Sequence, residues 1–499
     1  MAKHPLDQSQ TPLVDALKRC ANRANAPFHT PGHKRGQGIS NRHQQLFGTA
    51  AFQADLPELP ELDNLFAPEG VILQAQRLAA EAFGAEQTWF LANGSTCGIE
   101  AAILATCGPG DKLILPRNVH SSAISGLILS GAIPIYVSPP YSRHWDLPLG
   151  LAQREIAIAL SAHPDAKAVL LVSPTYQGIC SDVKAIAHLT HSYDIPLLVD
   201  EAHAPHFAFH PELPASALAS GADIAIQSAH KVLSAFTQSA LLHAQGSRID
   251  RHQLTQSLQL TQSTSPSYLL LGSLDAARYQ MATDGFALMS RTLSLADQAY
   301  KSLKQLPKLK ALQPSVLSTN LQHQTKIVGD RTRLTIDVSG LGLTGFAVDD
   351  ILHQRFSVTA ELPTLRQLTF IISLGNTSDD ITQLISGFES LCKQHASTEP
   401  MAATNLIKTA PLRPCPISLS TLSPRQAFFA QKVSLPIAQA IGQRCGETIC
   451  PYPPGIPTLL PGEPISSEAI AYLQQILNAG GILTGCRDPH LKTIQVVKP

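Results

Sequence analysis

Between residues 70 and 245 short apolar runs alternate with amphipathic segments: WFLA (89–92), KLILP (112–116), AVLLVS (168–173), PLLVD (196–200) and DIAIQ (223–227). Continuous apolar runs are what strands buried on both faces look like. Amphipathic stretches between them supply the crossovers that parallel strands require. The rhythm predicts an α/β protein with a mostly parallel sheet covered by helices. A second, smaller rhythm follows: RLTIDVSG (333–340) and LTFIISLG (368–375) read as strands, AVDDILHQRF (347–356) and ITQLISGFESL (381–391) as helices. The polar, proline-bearing stretch KQHASTEPMAATNLIKTAPLRP (393–414) reads as a linker, and a last module is centred on PYPPGIPTLLPGE (451–463). The expected organisation is an N-terminal arm (1–50), a large domain (51–290), a small α/β domain (291–395) and a C-terminal α+β module (410–499).

Composition narrows the chemistry. At 499 residues the chain is expected to fold as two or three domains. Lys+Arg and Asp+Glu number 37 each, so no basic field awaits a nucleic acid. The nine cysteines form no C-x-x-C pair, which fits neither a disulfide framework nor a zinc site and suits a reducing cytoplasm. No metal is expected. The first twenty residues lack the apolar core of a signal peptide, and no run of about 18 apolar residues occurs. A protein without a membrane segment is expected, with small molecules or copies of itself as partners.

Ligands of open α/β sheets bind beyond the carboxyl ends of the strands, and here each strand end carries a polar cluster. LANGSTCGIEAAILA (91–105) offers the hydroxyls of Ser95 and Thr96 and the free N–H groups of the following helix to a phosphate, or simply a serine cap to a helix. PRNVHSS (116–122) offers His120, a flat ring to stack on another ring or a capping histidine. VDEAH (199–203) resembles a helicase Walker B element, but the P-loop that reading requires is absent. Asp200 suits a protonated ring nitrogen, or a helix cap. QSAHK (227–231) places Lys231, an amine able to attack an aldehyde once desolvated, beside Ser228 and His230, which suit an anion. A phosphate cradle, a carboxylate, a stacking ring and an amine are together what a pyridoxal phosphate site requires.

These motifs, with FHTPGHKRG (28–36), SPTYQG (173–178), TQSTSPSYLLLGSLD (261–275) and the proline-rich stretch at 451–463, resemble the bacterial ornithine/lysine/arginine decarboxylases over nearly the whole chain. The resemblance implies fold type I, the aspartate aminotransferase fold, in the shorter form without an N-terminal wing. It makes Lys231 the covalent anchor of the cofactor and Asp200 the partner of the pyridine nitrogen. It places His120 and Ala202 on opposite ring faces and His203 near the phenolic oxygen, where relatives carry tryptophan. Ser95, Thr96, Cys97, Ser228 and His230 fall to the phosphate. Thr264 and Ser265 fall to a neighbouring subunit's site, implying a homodimer.

The implied reaction is decarboxylation of a basic amino acid: arginine first, feeding polyamine synthesis, then lysine, then ornithine. Catalysis rests on Lys231, His120 and Asp200, with Lys231 or His120 returning the proton to Cα. Glu463 is the first acid expected to meet the substrate's cationic end, with Glu58, Glu61 and Asp63 as others; His33 and Lys34 either face the cofactor or tie the N-terminal arm to the neighbouring subunit. Two alternatives share the pocket. An aminotransferase of this fold usually grips the substrate carboxylate with an arginine on a small-domain strand, and LTFIISLGN (368–376) has none. A non-catalytic pyridoxal phosphate-binding regulator needs a DNA-binding module and no lysine.

Overall fold

The computed structural model describes residues 5–312, 328–399 and 422–498; the greater part of the expected linker, 400–414, lies outside them. The chain forms two compact units, Met1–Ala105 with Val199–Met289 and Thr106–Leu198 with Ser290–Pro499. In the first unit the strands Gln87–Leu91, Ala240–Ala244 and Ile224–Gln227 hydrogen-bond in that order, in the second Ala168–Val172, Lys112–Pro116 and Ile133–Val137 do, and Leu197–Asp200 is a further strand. Each predicted apolar run is one of these strands. The chain runs against both neighbours at Ala240–Ala244, the exception to the parallel expectation.

In the first unit that antiparallel strand sets the position of two loops. Leu91 and Gln227, the last residues of their strands, pair with Ala240 and Leu241 at the start of the strand between them. The segments following residues 91 and 227 therefore emerge at one edge. Gly94, in a left-handed conformation at φ 72°, opens the helix Gly94–Thr106. That helix packs so closely on the sheet that a Cβ at Gly98 would stand 2.7 Å from Leu91 Cδ1 and 2.9 Å from Ile226 Cγ2. The N-terminal helix Pro12–Ala21 is fixed to the long helix Tyr268–Lys304 by the buried pair Asp275–Arg278. Asp275 accepts from the Leu13 backbone N–H, while Arg278 donates to the carbonyls of Gln8 and Gln10.

In the second unit Lys112–Pro116 lies parallel to Ile133–Val137 and Ala168–Val172, so the segments after residues 116 and 172 share an edge. A four-stranded antiparallel sheet built on Arg333–Asp337 and Gln367–Ile371 packs Ile336, Leu368 and Phe370 against Leu352, Leu384 and Phe388 of the helices Gly345–Phe356 and Ser378–Gln394. The C-terminal part holds two ribbons, Lys432–Pro436 with Thr493–Val497 and Cys450–Tyr452 with Ile482–Thr484. Its own core joins Leu459 and Ile494 to Leu473 and Ile476 of the helix Ser467–Asn478. Among the described residues no helix is long and apolar enough to cross a membrane.

Candidate active site

The shared strand edge of the first unit brings its candidate residues together. Ser228, fully buried directly after its strand, donates its hydroxyl to Ser95 Oγ at 2.8 Å. Ser95, Thr96 and Cys97 occupy the first turn of a 13-residue helix, where backbone N–H groups have no partner further back in the helix. Two hydroxyls over a helix N-terminus form a donor set suited to a phosphate. The Cys97 side chain turns away to the Gly94 carbonyl, and burial pushes its thiol up to about 12; only its backbone suits the phosphate. The cradle is braced by the segment expected to serve a neighbouring subunit. Thr261 Oγ1 donates to the Cys97 carbonyl at 3.3 Å and Gln262 Oε1 accepts from the Ala92 backbone at 2.9 Å. Thr264 and Ser265, just beyond, are exposed.

Lys231 Nζ lies 3.0 Å from His203 Nε2. His203 is buried, so an imidazole able to exchange a proton with the amine sits where the amine would react. Asp200 is 9% exposed and accepts the Ala202 backbone N–H at 3.1 Å. It caps a turn rather than a helix, and that turn fixes Ala202 and His203 relative to the carboxylate. His230 donates Nδ1–H to the Ser239 carbonyl at 3.0 Å. Burial, opposed by that bond and assisted by the Lys231 charge, lowers its pKa, so the ring is neutral with its lone pair on Nε2.

Behind these residues runs a buried polar chain whose roles the sequence left unassigned. Gln227 Nε2 donates to Glu201 Oε2 at 2.7 Å, and the Ala217 backbone donates to Oε1 at 2.7 Å. Gln227 Oε1 accepts from His243 Nε2 at 3.2 Å, and His243 Nδ1 accepts from Thr88 Oγ1 at 2.8 Å. Burial raises the Glu201 carboxyl to about 8 and lowers His243 to about 3. The chain cross-links the strand ends that present Asp200 and Lys231.

In the second unit His120 is the N-cap of the helix Ser121–Ser130. Its Nδ1 accepts from the Ser122 backbone at 3.2 Å and lies 2.9 Å from Ser122 Oγ, which puts the ring's proton on Nε2. Arg117, buried one turn earlier, donates to the carbonyls of Pro457 and Thr458 and to Glu463 Oε2 at 2.9 Å. Tyr176 donates its hydroxyl to the Pro454 carbonyl at 2.8 Å. Neither Arg117 nor Tyr176 was singled out by sequence, although both sit in strand-end clusters.

The other acids are engaged locally. The carboxylate of Asp63 accepts backbone N–H groups from Asn64, Glu69, Gly70 and Ile72 at 2.7 to 3.1 Å. Glu61 pairs with Arg23, and Glu58 accepts from Asn64. His33 meets Asp55 at 3.1 Å and Lys34 donates to the His29 carbonyl within its own segment. In the small sheet, Gln367–Ile371 carries no arginine; its neighbour begins with Arg333, fully buried 3.7 Å from Asp330. Among the described residues no cluster could hold a metal ion.

Comparison with known proteins identifies the family. The family model described as Orn/Lys/Arg decarboxylase, major domain, matches residues 11–380, and the corresponding C-terminal domain model matches residues 419–485. The arginine decarboxylase of Bacillus subtilis is 39% identical, with 99% of both chains covered. That of Halalkalibacterium halodurans is 37% identical, with 98% of both covered. The lysine decarboxylase of Francisella novicida superposes with a TM-score of 0.82 over 98% of this chain and 81% of its own, at 21% identity. At that identity the likeness speaks to the fold, which is fold type I.

Proposed function

Because the chain belongs to the Orn/Lys/Arg decarboxylase family, we propose that it removes the α-carboxylate of arginine as carbon dioxide, leaving agmatine, with pyridoxal phosphate bound at Lys231. Enzymes of this family depend on that cofactor. The choice of arginine is carried by identity of 37 to 39% with arginine decarboxylases along the full chain; lysine and ornithine stand second and third.

The residues present fit the cofactor: a serine pair 2.8 Å apart over a helix N-terminus for the phosphate, a buried carboxylate for the ring nitrogen, an amine for the aldehyde. When bound, pyridoxal phosphate supplies an electron-accepting ring that lets a bond at the substrate's Cα break with its electrons left behind. In this reading Asp200 holds the ring nitrogen's positive charge. His203 Nε2, 3.0 Å from Lys231 Nζ, takes the proton that Lys231 must lose to act as a nucleophile and returns it afterwards. Ser95, Thr96, the Cys97 backbone, Ser228 and His230 bind the phosphate. His120 and Ala202 flank the ring, as their sequence motifs imply.

A decarboxylase gains nothing from gripping the departing carboxylate, because that contact is strongest before the transition state. The small-domain strand without arginine, and the engagement of Arg333 with Asp330, favour this reading over an aminotransferase. A second copy of the chain is part of the proposal. The helical segment Asn41–Ala54, broken into two short pieces at Gly48 (φ 71°), buries none of its residues, and Phe28, Leu46 and Phe47 are exposed; helices so short are marginal in water on their own. The described cysteines are free, which suits a reducing cytoplasm, and agmatine is a precursor for polyamine synthesis.

The test is purified protein with pyridoxal phosphate, offered arginine, lysine and ornithine separately. Arginine is expected to yield carbon dioxide and agmatine with the highest kcat/KM. Oxo-acid formation without carbon dioxide would move the protein to the aminotransferases.

A further inference from the structure

Glu463 was the acid expected to meet the substrate, yet its surroundings describe a different task. Its carboxylate is committed to Arg117, whose side chain is 8% exposed and also donates to the Pro457 and Thr458 carbonyls. The Glu463 carbonyl accepts the Cys445 N–H at 2.8 Å, anchoring the residue in the C-terminal core. A carboxylate already neutralised and held at both ends is poorly placed to receive a second cation.

The same C-terminal segment grips the helix that His120 caps. Ser121 N–H donates to the Gly455 carbonyl at 3.2 Å. Gly455, at φ 82°, lies so close to the imidazole that a Cβ there would stand 3.3 Å from Nε2 and 3.4 Å from Cδ2. At the helix's other end Arg425 donates to the carbonyls of Ile128 and Leu129 at 2.9 and 2.7 Å, satisfying groups that a helix C-terminus leaves unpaired. One module thus holds both ends of one short helix.

We propose that the C-terminal module is a clamp that positions the His120 ring, with Arg117, Glu463 and Gly455 as its positioning residues and Glu463 not in contact with the substrate. The role given to His120 rests on the function proposed above; the clamp itself does not. Without the Arg117–Glu463 pair the 455–463 segment loosens and the ring loses its wall. Misplacement of a reacting group by about an ångström costs up to roughly a hundredfold in rate.

The experiment measures carbethoxylation of His120 by diethyl pyrocarbonate in the cofactor-free full-length protein, resolved by peptide mass spectrometry, beside kcat and KM for arginine in the loaded protein. Glu463→Ala is expected to raise the His120 modification rate about tenfold and to lower kcat about tenfold or more, with KM moving less than about threefold. Glu463→Gln, which keeps an oxygen for Arg117, is expected to change each quantity less than about threefold. If Glu463→Ala does not fold, Gly455→Ala decides, because its methyl group against Nε2 must change the His120 rate. An unchanged His120 rate in these variants, or a KM raised about a hundredfold in both Glu463 variants with His120 unaffected, overturns the clamp. Failure of the wild type to release carbon dioxide from arginine would count against the proposed function alone, since the His120 rates decide the clamp in apoprotein.

Discussion

Gly98 is where packing and the proposed phosphate site meet, so Gly98→Ala tests their connection. The added methyl would stand 2.7 Å from Leu91 Cδ1 and 2.9 Å from Ile226 Cγ2, against ordinary carbon contacts of about 3.5 Å or more. Two buried neighbours must give way by several tenths of an ångström. Overpacking of this kind costs about 1–3 kcal/mol, so the cofactor-free protein should melt roughly 2 to 6 °C lower. The strain acts along a specific line. Gly98 lies one turn from Ser95, and Ile226 lies two residues before Ser228, so parting helix from strand lengthens the 2.8 Å contact between the two hydroxyls. Loss of about 1 kcal/mol of phosphate hydrogen bonding corresponds to roughly fivefold weaker pyridoxal phosphate binding. Titration of apoprotein with the cofactor, followed by quenching of tryptophan fluorescence, reads the affinity, and calorimetry reads the melting temperature. A variant that melts lower but binds the cofactor as tightly as the wild type would refute the link between the helix–strand contact and the phosphate cradle.

Two further outcomes are expected. The neutral His230 has its only N–H on the Ser239 carbonyl, so it can donate to a phosphate only after gaining a proton. Burial depresses its pKa in apoprotein while a bound phosphate raises it, so between the two values loading takes up a proton and affinity falls as pH rises, by up to about tenfold per pH unit. Calorimetry in buffers of different ionisation enthalpy should find that proton uptake, and His230→Gln should abolish it; equal uptake in the variant would exclude His230. Asp63→Ala strands the backbone N–H groups of Asn64, Glu69, Gly70 and Ile72 and should cost about 2–4 kcal/mol in a denaturant melt, with KM for arginine little changed. An unaltered melt with a strongly raised KM would return Asp63 to the substrate.

The strands and the strand-end clusters were legible because burial on both sheet faces erases polar residues from a strand and leaves the next polar group conspicuous. Asp200 ends such a run, Ser228 follows one directly, and Ser95 and Lys231 lie within four residues of one. What pattern does not encode is direction and partnership. ALLHA at 240–244 reads the same parallel or antiparallel, yet its reversal brings the loops after Leu91 and Gln227 to one edge. Arg117 finds Glu463 far along the chain, and nothing in PRNVHSS announces that pairing. Acids were the least legible of all. Glu463, Glu61 and Asp63 look alike as candidates for a cationic substrate, and only the donors around them, a guanidinium in two cases and a ring of backbone N–H groups in the third, tell their tasks apart.

The Lys231 amine, 3.0 Å from His203 Nε2, is the group proposed to hold the cofactor. Borohydride reduction of the pyridoxal phosphate-loaded protein, followed by proteolysis and peptide mass spectrometry, tests it without reference to substrate. The reduced cofactor's mass is expected on the peptide containing QSAHK at Lys231, and to vanish from it in Lys231→Ala. Its appearance on a different lysine of the wild type, or on none, would take the covalent anchor away from Lys231.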